Sequence, residues 1–457
     1  MSFGHLPPEL LPVIIRGLDS PHDLVSLIIA SSRCHAFYSA APSVFLASIL
    51  ENAIHPTAIQ SALAALNAPN GSQSKDPEAL ARFVERYFEG GRYTFPTDME
   101  NLKALCRLYN RTSSFIRDYA SRAMQAMGDH LSTVDQIAYT LPSMPEKQAL
   151  DLSRSENARF QRAFLRLEVY SLAYPPPDDP HEQHRHRFFT AESQFSHFVS
   201  RMEPWEVEEM SCAHFYFQLM AGAAFDQVEE QLVEAAMSAP GVCRSADTVA
   251  VAKDLPSRYH GGEPRELFDG TEVSVLLNFS SAMRDKSYSL IGFIASLGSS
   301  FMHQLITADA STRRDMVRSL DPAWYQSFLP EAIDAQDDAP DTIMHVLTPE
   351  DCHDPHRPPA GAGYGLFNRD GQDVYWEAST YRYQALRERA FVFWDSERIS
   401  GSPEMTRSLE EAASIFGMKL FQLYDRTGRL SVEDRLQGVR IPREHISRIY
   451  DEFGYPD

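Results

Sequence analysis

Apolar residues recur at helical spacing in the first fifty residues, and they cover more surface than a few short helices can bury among themselves. Leu10, Ile14 and Leu18 are four residues apart and form one stripe, with Leu11 and Ile15 beside it. Residues at positions i and i+4 lie on one face of an α-helix. Because a bundle of this size is marginal alone, part of its apolar surface is expected to contact another chain or the rest of the protein.

A second helix is predicted to begin after Ser20, because the run Ser-Pro-His-Asp supplies an N-cap, a first-turn proline and the acid of a capping box. A third segment at 32–38 and a further helix at 42–50 follow. The second helix has an apolar face wider than one contact requires, formed by Leu24, Val25, Leu27, Ile28 and Ile29. This width also favours a contact outside the small bundle.

The ordered set of elements at 6–42 resembles an F-box. The positions that match the family pattern are Leu6-Pro7, Glu9, Leu10-Leu11, Ile14, Leu18, Asp23-Leu24, Leu27 and Ile28. The family commonly ends this pattern with a Trp, where the present chain has the aromatic pair Phe37-Tyr38.

The resemblance implies that the chain binds the Skp-type adaptor of an SCF-type cullin–RING ubiquitin ligase, and through it a cullin. It implies adaptor contacts at Leu6, Pro7, Leu10, Ile14, Leu18, Leu24, Leu27 and Ile28, of which Leu10, Ile14 and Leu24 are expected to contribute most. Partner enzymes transfer ubiquitin in such a complex. The chain would therefore be a non-catalytic subunit, with no cofactor or metal, that recruits a protein target.

The predicted fold is mostly α, with a small N-terminal three-helix module followed by a large irregular helical domain. We expect the F-box-like module at 1–50, a helical and possibly target-binding domain at 51–330, an acidic Pro/Gly-rich linker or loop at 331–374, and a helical segment packing on the main domain at 375–457. Helical patterns after the module fall at 77–88, 99–109, 113–127, 154–170, 188–202, 204–221, 226–237, 273–281, 288–305 and 312–320. No repeat of 20–50 residues is visible.

The C-terminal region contains the string Phe393-Trp394-Asp395, followed by Arg398. It resembles a segment near the end of many helical fungal proteins that begin with an F-box-like module. The two aromatic residues are predicted to be core anchors. Asp395 and Arg398 are predicted to form a local pair at a helix end.

Charge and cysteine content exclude several classes of function. The net charge of −21 argues against nucleic-acid backbones and against anionic membrane surfaces. The five cysteines are odd in number and scattered, which suits a reducing compartment. Apolar runs are far shorter than the ~20 residues of a membrane span. The expected location is the cytoplasm or the nucleus, and a charge-steered target of the acidic large domain should present a basic surface.

Other chemical signals are weaker. The histidine runs at 181–186 and 352–356 are weak candidates for a metal site and are interpreted as loops. The glycine run at 361–365 follows a proline-rich stretch instead of a buried strand, so it lacks the context of a nucleotide-binding loop. The glutamate-rich runs at 206–209 and 226–230 are interpreted as solvated helix faces. Two alternatives to a ligase subunit stay open: a helical scaffold that acts outside a ligase, and an enzyme whose site is assembled from distant residues.

Overall fold

A computed structural model describes residues 6–69, 76–90, 92–128, 141, 150–175, 189–238, 243–244, 287–320, 328–335, 361–367, 384–414 and 439–440. Helices dominate this part of the chain, with short helices first and a larger helical region after them, which confirms the predicted fold class. The described strands are the two-residue segments β1 (Cys243–Arg244) and β2 (Val439–Arg440), which pair antiparallel.

The N-terminal region contains four helices: α1 (Leu10–Arg16), α2 (Pro21–Ala30), α3 (Ser32–Ala40) and α4 (Pro42–Ala53). Ser20 caps α2 by accepting a hydrogen bond from the backbone N–H of Asp23 (3.3 Å), so the predicted cap is confirmed. Ser31 caps α3 in the same way. The side-chain oxygens satisfy amides that have no partner inside the helix.

The larger region begins with α5 (Pro56–Leu66), α6 (Pro77–Phe88), α7 (Met99–Gly128), α8 (Arg154–Ala173), α9 (Ala191–His197) and α10 (Pro204–Ser238). After them come α11 (Ser287–Ser296), α12 (Gly298–Thr307), α13 (Ala310–Arg318), α14 (Leu329–Asp334), α15 (Ala362–Phe367), α16 (Gln384–Glu388), α17 (Ser396–Ser400) and α18 (Pro403–Ser414). Single turns of 3-10 helix lie at Val199–Arg201 and Phe391–Phe393.

Several helix boundaries differ from the sequence-based prediction. The patterns at 99–109 and 113–127 form one helix, α7, and those at 204–221 and 226–237 form one helix, α10. The pattern at 288–305 is divided at Gly298, whose φ of +83° suits glycine and interrupts helical geometry. The predicted helix at 273–281 and the histidine runs at 181–186 and 352–356 lie outside the described residues.

The segment predicted as a linker at 331–374 contains the end of α14 and the whole of α15. Both helices pack against the large region, α14 on α9 and α15 on the turn Phe391–Phe393. A Cβ atom on Gly361 or Gly363 would lie 1.9 Å from a carbonyl oxygen of that turn. Glycine is therefore required where α15 meets the turn. The other residues of 331–374 lie outside the described part of the chain.

Two apolar cores meet at α4. Leu11, Ile15, Leu24, Cys34, Phe45 and Ile49 form a small core of the N-terminal helices. On the other face of α4, Leu46 and Leu50 belong to the large core. Asn52 of the same helix donates through Nδ2 to the carbonyl oxygens of Arg16 (2.7 Å) and Leu18 (2.9 Å). One helix thus joins the small core to the large one.

The large core is built around α8 and α10. The C-terminal aromatic pair lies inside it, where Phe393 stacks on Phe160 with 4.0 Å between ring centroids and Trp394 meets the same ring edge-on. Both side chains are fully buried, so their predicted role as core anchors is confirmed. The indole N–H of Trp394 donates to the carbonyl oxygen of Arg389 (2.8 Å). This bond satisfies the one polar group of the anchor.

Candidate functional site

Exposed apolar side chains concentrate on the N-terminal helices. Across the described residues, the exposed large hydrophobic side chains are Leu10, Val13, Val25, Ile29 and Val44, with exposed fractions of 46%, 65%, 47%, 79% and 47%. We call these five residues the apolar surface. All of them lie on α1, α2 or α4, although most of the described chain lies in the large region. Clustered exposed apolar residues are typical of protein-binding sites.

Helix α1 divides its apolar residues between two sides. Leu11 and Ile15 are four residues apart and fully buried in the small core. Leu10 and Val13 are three residues apart and exposed. Because three- and four-residue spacings place side chains on one face, α1 has one face for its own core and another that the described chain leaves open.

Helix α2 has the same division. Leu24 is only 3% exposed and packs in the small core, whereas Val25 and Ile29 lie one turn apart on the outside. The sequence predicts an apolar face on α2 that is wider than one contact requires. In the structure, the additional residues Val25 and Ile29 are exposed to solvent.

The eight predicted adaptor contacts occupy three kinds of position. Pro7 and Leu10 are exposed, and Leu24 is buried. The half-buried positions are Leu6, Ile14, Leu18, Leu27 and Ile28. Leu24 therefore supports the surface from beneath and does not form part of it. Val13 on α1 and Val44 on α4, which the family pattern does not mark, are also exposed.

Polar and aromatic groups of the N-terminal helices lie close to α7, beside the apolar contact that α4 makes with the same helix. Burial raises the pKa of the Tyr38 hydroxyl, with Cys106 of α7 adding to the shift. Burial also raises the pKa of Tyr109, near which lies Asp19. Within the module, Arg33 donates to the carbonyl oxygen of Leu6 (3.2 Å) and holds the entry to α1 against α3.

The large region contains a second unusual feature, a set of buried charges. Glu206, Glu208 and Glu209 were predicted to form a solvated helix face, and that prediction is wrong: they are 8%, 4% and 1% exposed. Each carboxylate pairs with an arginine. Arg166 bonds Glu206 (2.9 Å), Arg162 bonds Glu209 (2.8 Å) and Arg387 bonds Glu208 (2.7 Å). Charges are stable in an interior when they are paired and hydrogen-bonded in this way.

The C-terminal segment is held to α8 by two more ion pairs. Asp395 accepts a hydrogen bond from Arg159 (2.8 Å), and Arg398 donates to Glu156 (2.6 Å). Asp395 and Arg398 also interact electrostatically with each other, as predicted. Their side-chain hydrogen bonds, however, go to α8 and cross more than two hundred residues of sequence. Glu156 also completes the capping box of α8 with Ser153.

Burial shifts the pKa values of several titratable groups of α10. Burial raises the pKa of the Cys212 thiol well above its usual value. Burial, and then the Arg387 guanidinium, lower the pKa of His214 to about 3. Burial raises the pKa of Glu209, which Arg162 opposes. A protonated thiol near a neutral imidazole is not an activated nucleophile. These residues are suited to packing.

The described residues contain no group of three or more His, Cys, Asp or Glu side chains placed to hold a metal ion. Among the same residues, no helix combines the length and the apolar character that crossing a bilayer requires.

The apolar surface on α1, α2 and α4 is therefore the best candidate for a functional site, and the buried ion pairs belong to the core. Comparison of the chain with protein-family models, with curated proteins and with solved structures finds no match.

Proposed function

We propose that this chain is an F-box-like, non-catalytic subunit of an SCF-type cullin–RING ubiquitin ligase. The N-terminal helices bind a Skp-type adaptor, and the helical domain recruits a protein target. The observation that carries the proposal is the apolar surface, because four of the five exposed large hydrophobic side chains of the described chain lie on α1 and α2, the helices that match the F-box pattern, and the fifth, Val44, lies on α4.

The joint at α4 supports this proposal. Phe45 and Ile49 on one face of α4 belong to the small core, while Leu46 and Leu50 on the other belong to the large core. A shared helix couples two packed regions more stiffly than a flexible linker would. A target on the large domain would then be held in a defined position relative to an adaptor on the module.

The acidic charge of the chain bears on the target. The N-terminal module contributes little to the net charge of −21, so the acidity belongs mainly to the helical domain and the segments after it. Charge complementarity favours a protein target with a basic surface. The adaptor, the cullin and the target would assemble in the cytoplasm or the nucleus. Neither nucleic acid nor a membrane would be a partner.

Co-purification with a Skp-type adaptor tests the proposal in the full-length chain. The double variant Leu10→Asp/Ile29→Asp places charges on the apolar surface. If each side chain is an interface anchor that contributes about 2 kcal/mol, the two substitutions together cost about 4 kcal/mol and the adaptor affinity falls roughly 700-fold. Gln304→Asp adds one negative charge at an exposed site on α12, away from the apolar surface, and should bind like the wild type.

Two outcomes overturn the proposal. Equal adaptor binding by wild type and double variant means that the apolar surface is not the contact. Absence of binding by the wild-type chain removes the adaptor altogether and favours a helical scaffold that acts outside a ligase. Circular dichroism of each variant separates lost binding from lost folding.

A further inference from the structure

A polar cluster lies where α7, α8 and α12 meet, away from the apolar surface. Its centre is Glu168, whose Oε2 accepts a 2.7 Å hydrogen bond from the backbone N–H of Ser299. Gly298 begins α12 so close by that a Cβ on it would lie 3.2 Å from that oxygen and 3.5 Å from Cβ of Ser171. Arg111 of α7 approaches from the third side, with Nη2 3.9 Å from Oε1 of Glu168. The side chains of Arg111, Glu168 and Ser171 and the start of α12 at Gly298 and Ser299 thus lie close together.

Three polar atoms of this cluster have no hydrogen-bond partner within the described part of the chain. They are Nε of Arg111, Oγ of Ser171 and Oγ of Ser299, and all three atoms are buried. The two serines are 6% and 3% exposed. Because buried polar atoms in folded proteins nearly always have a partner, three such atoms around one carboxylate indicate a bound group that satisfies them together.

The hydrogen-bonding capacity of the four side chains selects that group. Nε of Arg111 can only donate, Oε1 of Glu168 can only accept, and each serine hydroxyl can do both. A metal ion or ammonium could not accept from Arg111. An anion would be placed against the carboxylate of Glu168, which disfavours it. Water accepts two hydrogen bonds and donates two, which matches one donor, one acceptor and two hydroxyls.

We propose that Arg111, Glu168, Ser171 and Ser299 bind one ordered water molecule that bridges α7, α8 and α12. The water accepts from Nε of Arg111 and from one serine hydroxyl, and it donates to Oε1 of Glu168 and to the other hydroxyl. Glu168 then has a role on each side: Oε2 caps α12, and Oε1 anchors the water. The site joins three helices by hydrogen bonds at a point where no apolar side chain could satisfy the polar atoms.

A crystal structure of the full chain tests the site directly. We expect one water oxygen about 2.8–3.0 Å from Nε of Arg111 and from both serine hydroxyls. The proposal is overturned if the hydroxyls bond instead to carbonyl oxygens one turn back in their own helices. A metal ion or an anion at the same position would also overturn it.

Water-oxygen relaxation dispersion gives a second test in solution, because it counts long-lived internal waters. The variant Ser171→Ala/Ser299→Ala should lose the contribution of one water. Ser61→Ala is the matched control, since Ser61 is also buried but its hydroxyl already bonds Tyr87 (2.9 Å). An unchanged signal in the double variant, with the fold preserved by circular dichroism, contradicts the proposal.

Discussion

The N-terminal module exposes apolar side chains, whereas the large helical domain buries charged ones. The module leaves aliphatic side chains such as Val13 and Ile29 in contact with solvent, whereas the domain buries carboxylates such as Glu208 and Glu209. The short helices of the module contain more apolar residues than their small core can bury. In the domain, long helices enclose charged residues together with their partners. Exposed apolar groups indicate a binding surface, and buried paired charges indicate a core whose helices are held in one arrangement.

The largest expected effect comes from breaking a buried ion pair. Arg162→Ala leaves the carboxylate of Glu209 unpaired in an environment where both side chains are 1% exposed. Removing one partner of such a pair costs about 3–5 kcal/mol of unfolding free energy, which urea unfolding measures. Arg82→Ala breaks the exposed pair with Glu78 and should cost less than about 1 kcal/mol.

Replacing both Arg162 and Glu209 with apolar residues tests whether the loss comes from the unpaired charge. The double variant Arg162→Met/Glu209→Leu removes both charges, so it should recover most of the loss. Equal unfolding free energies for wild type and Arg162→Ala would mean that the pair is solvated in the folded protein, and the contrast between module and domain would fail.

A smaller, pH-dependent effect is expected from His214, whose ring contacts Phe328 in the core and feels the charge of Arg387. Its folded-state pKa of about 3 lies below the ordinary value of 6.5, because burial and then Arg387 disfavour the charged ring. Between those values the unfolded chain binds more protons than the folded one. The contribution of His214 is therefore complete above pH 6.5 and falls with pH by at most about 1.4 kcal/mol per unit.

Urea unfolding between pH 7 and pH 5 measures this slope. His214→Gln cannot titrate and should have a flatter profile than the wild type. His197→Gln removes an exposed histidine and should keep the wild-type slope. If the His214→Gln slope matches the wild type, the imidazole is not desolvated.

The next effect concerns the contact between α15 and the turn at 391–393. Gly363→Ala would place a Cβ atom 1.9 Å from the carbonyl oxygen of Phe391, and backbone cannot yield cheaply. Overpacking of this kind costs about 1–3 kcal/mol. Gly222→Ala on α10 meets only Ile291 at 3.8 Å and should stabilise the helix by up to about 1 kcal/mol. Opposite signs in thermal unfolding support the contact, and equal signs contradict it.

Local patterns of the sequence predict the helices and some of their anchors. Ser20 and Phe393 are assigned correctly because a cap and a bulky aromatic residue carry their signal within a few positions. Glu208 is assigned wrongly because its partner, Arg387, is 179 residues away and no local pattern reveals it. For the same reason the sequence predicts the interaction of Asp395 with the neighbouring Arg398 but not its hydrogen bond with Arg159. Burial of charge is decided by tertiary pairing, which helical periodicity does not contain.

The smallest expected effect on stability comes from a substitution on the exposed face of α2, which forms part of the candidate site. Ile29 is 79% exposed, so Ile29→Ser should change the unfolding free energy by less than about 0.5 kcal/mol. Leu24→Ala, five residues earlier on the same helix, creates a cavity in the small core and should cost about 2–5 kcal/mol. Urea unfolding compares the two variants. A cost at Ile29 as large as that at Leu24 would mean that the folded chain covers the outer face of α2, which leaves that face unable to serve as a partner surface. A negligible cost would mean that Ile29 does not contribute to folding, so this exposed aliphatic side chain remains available to contact a partner.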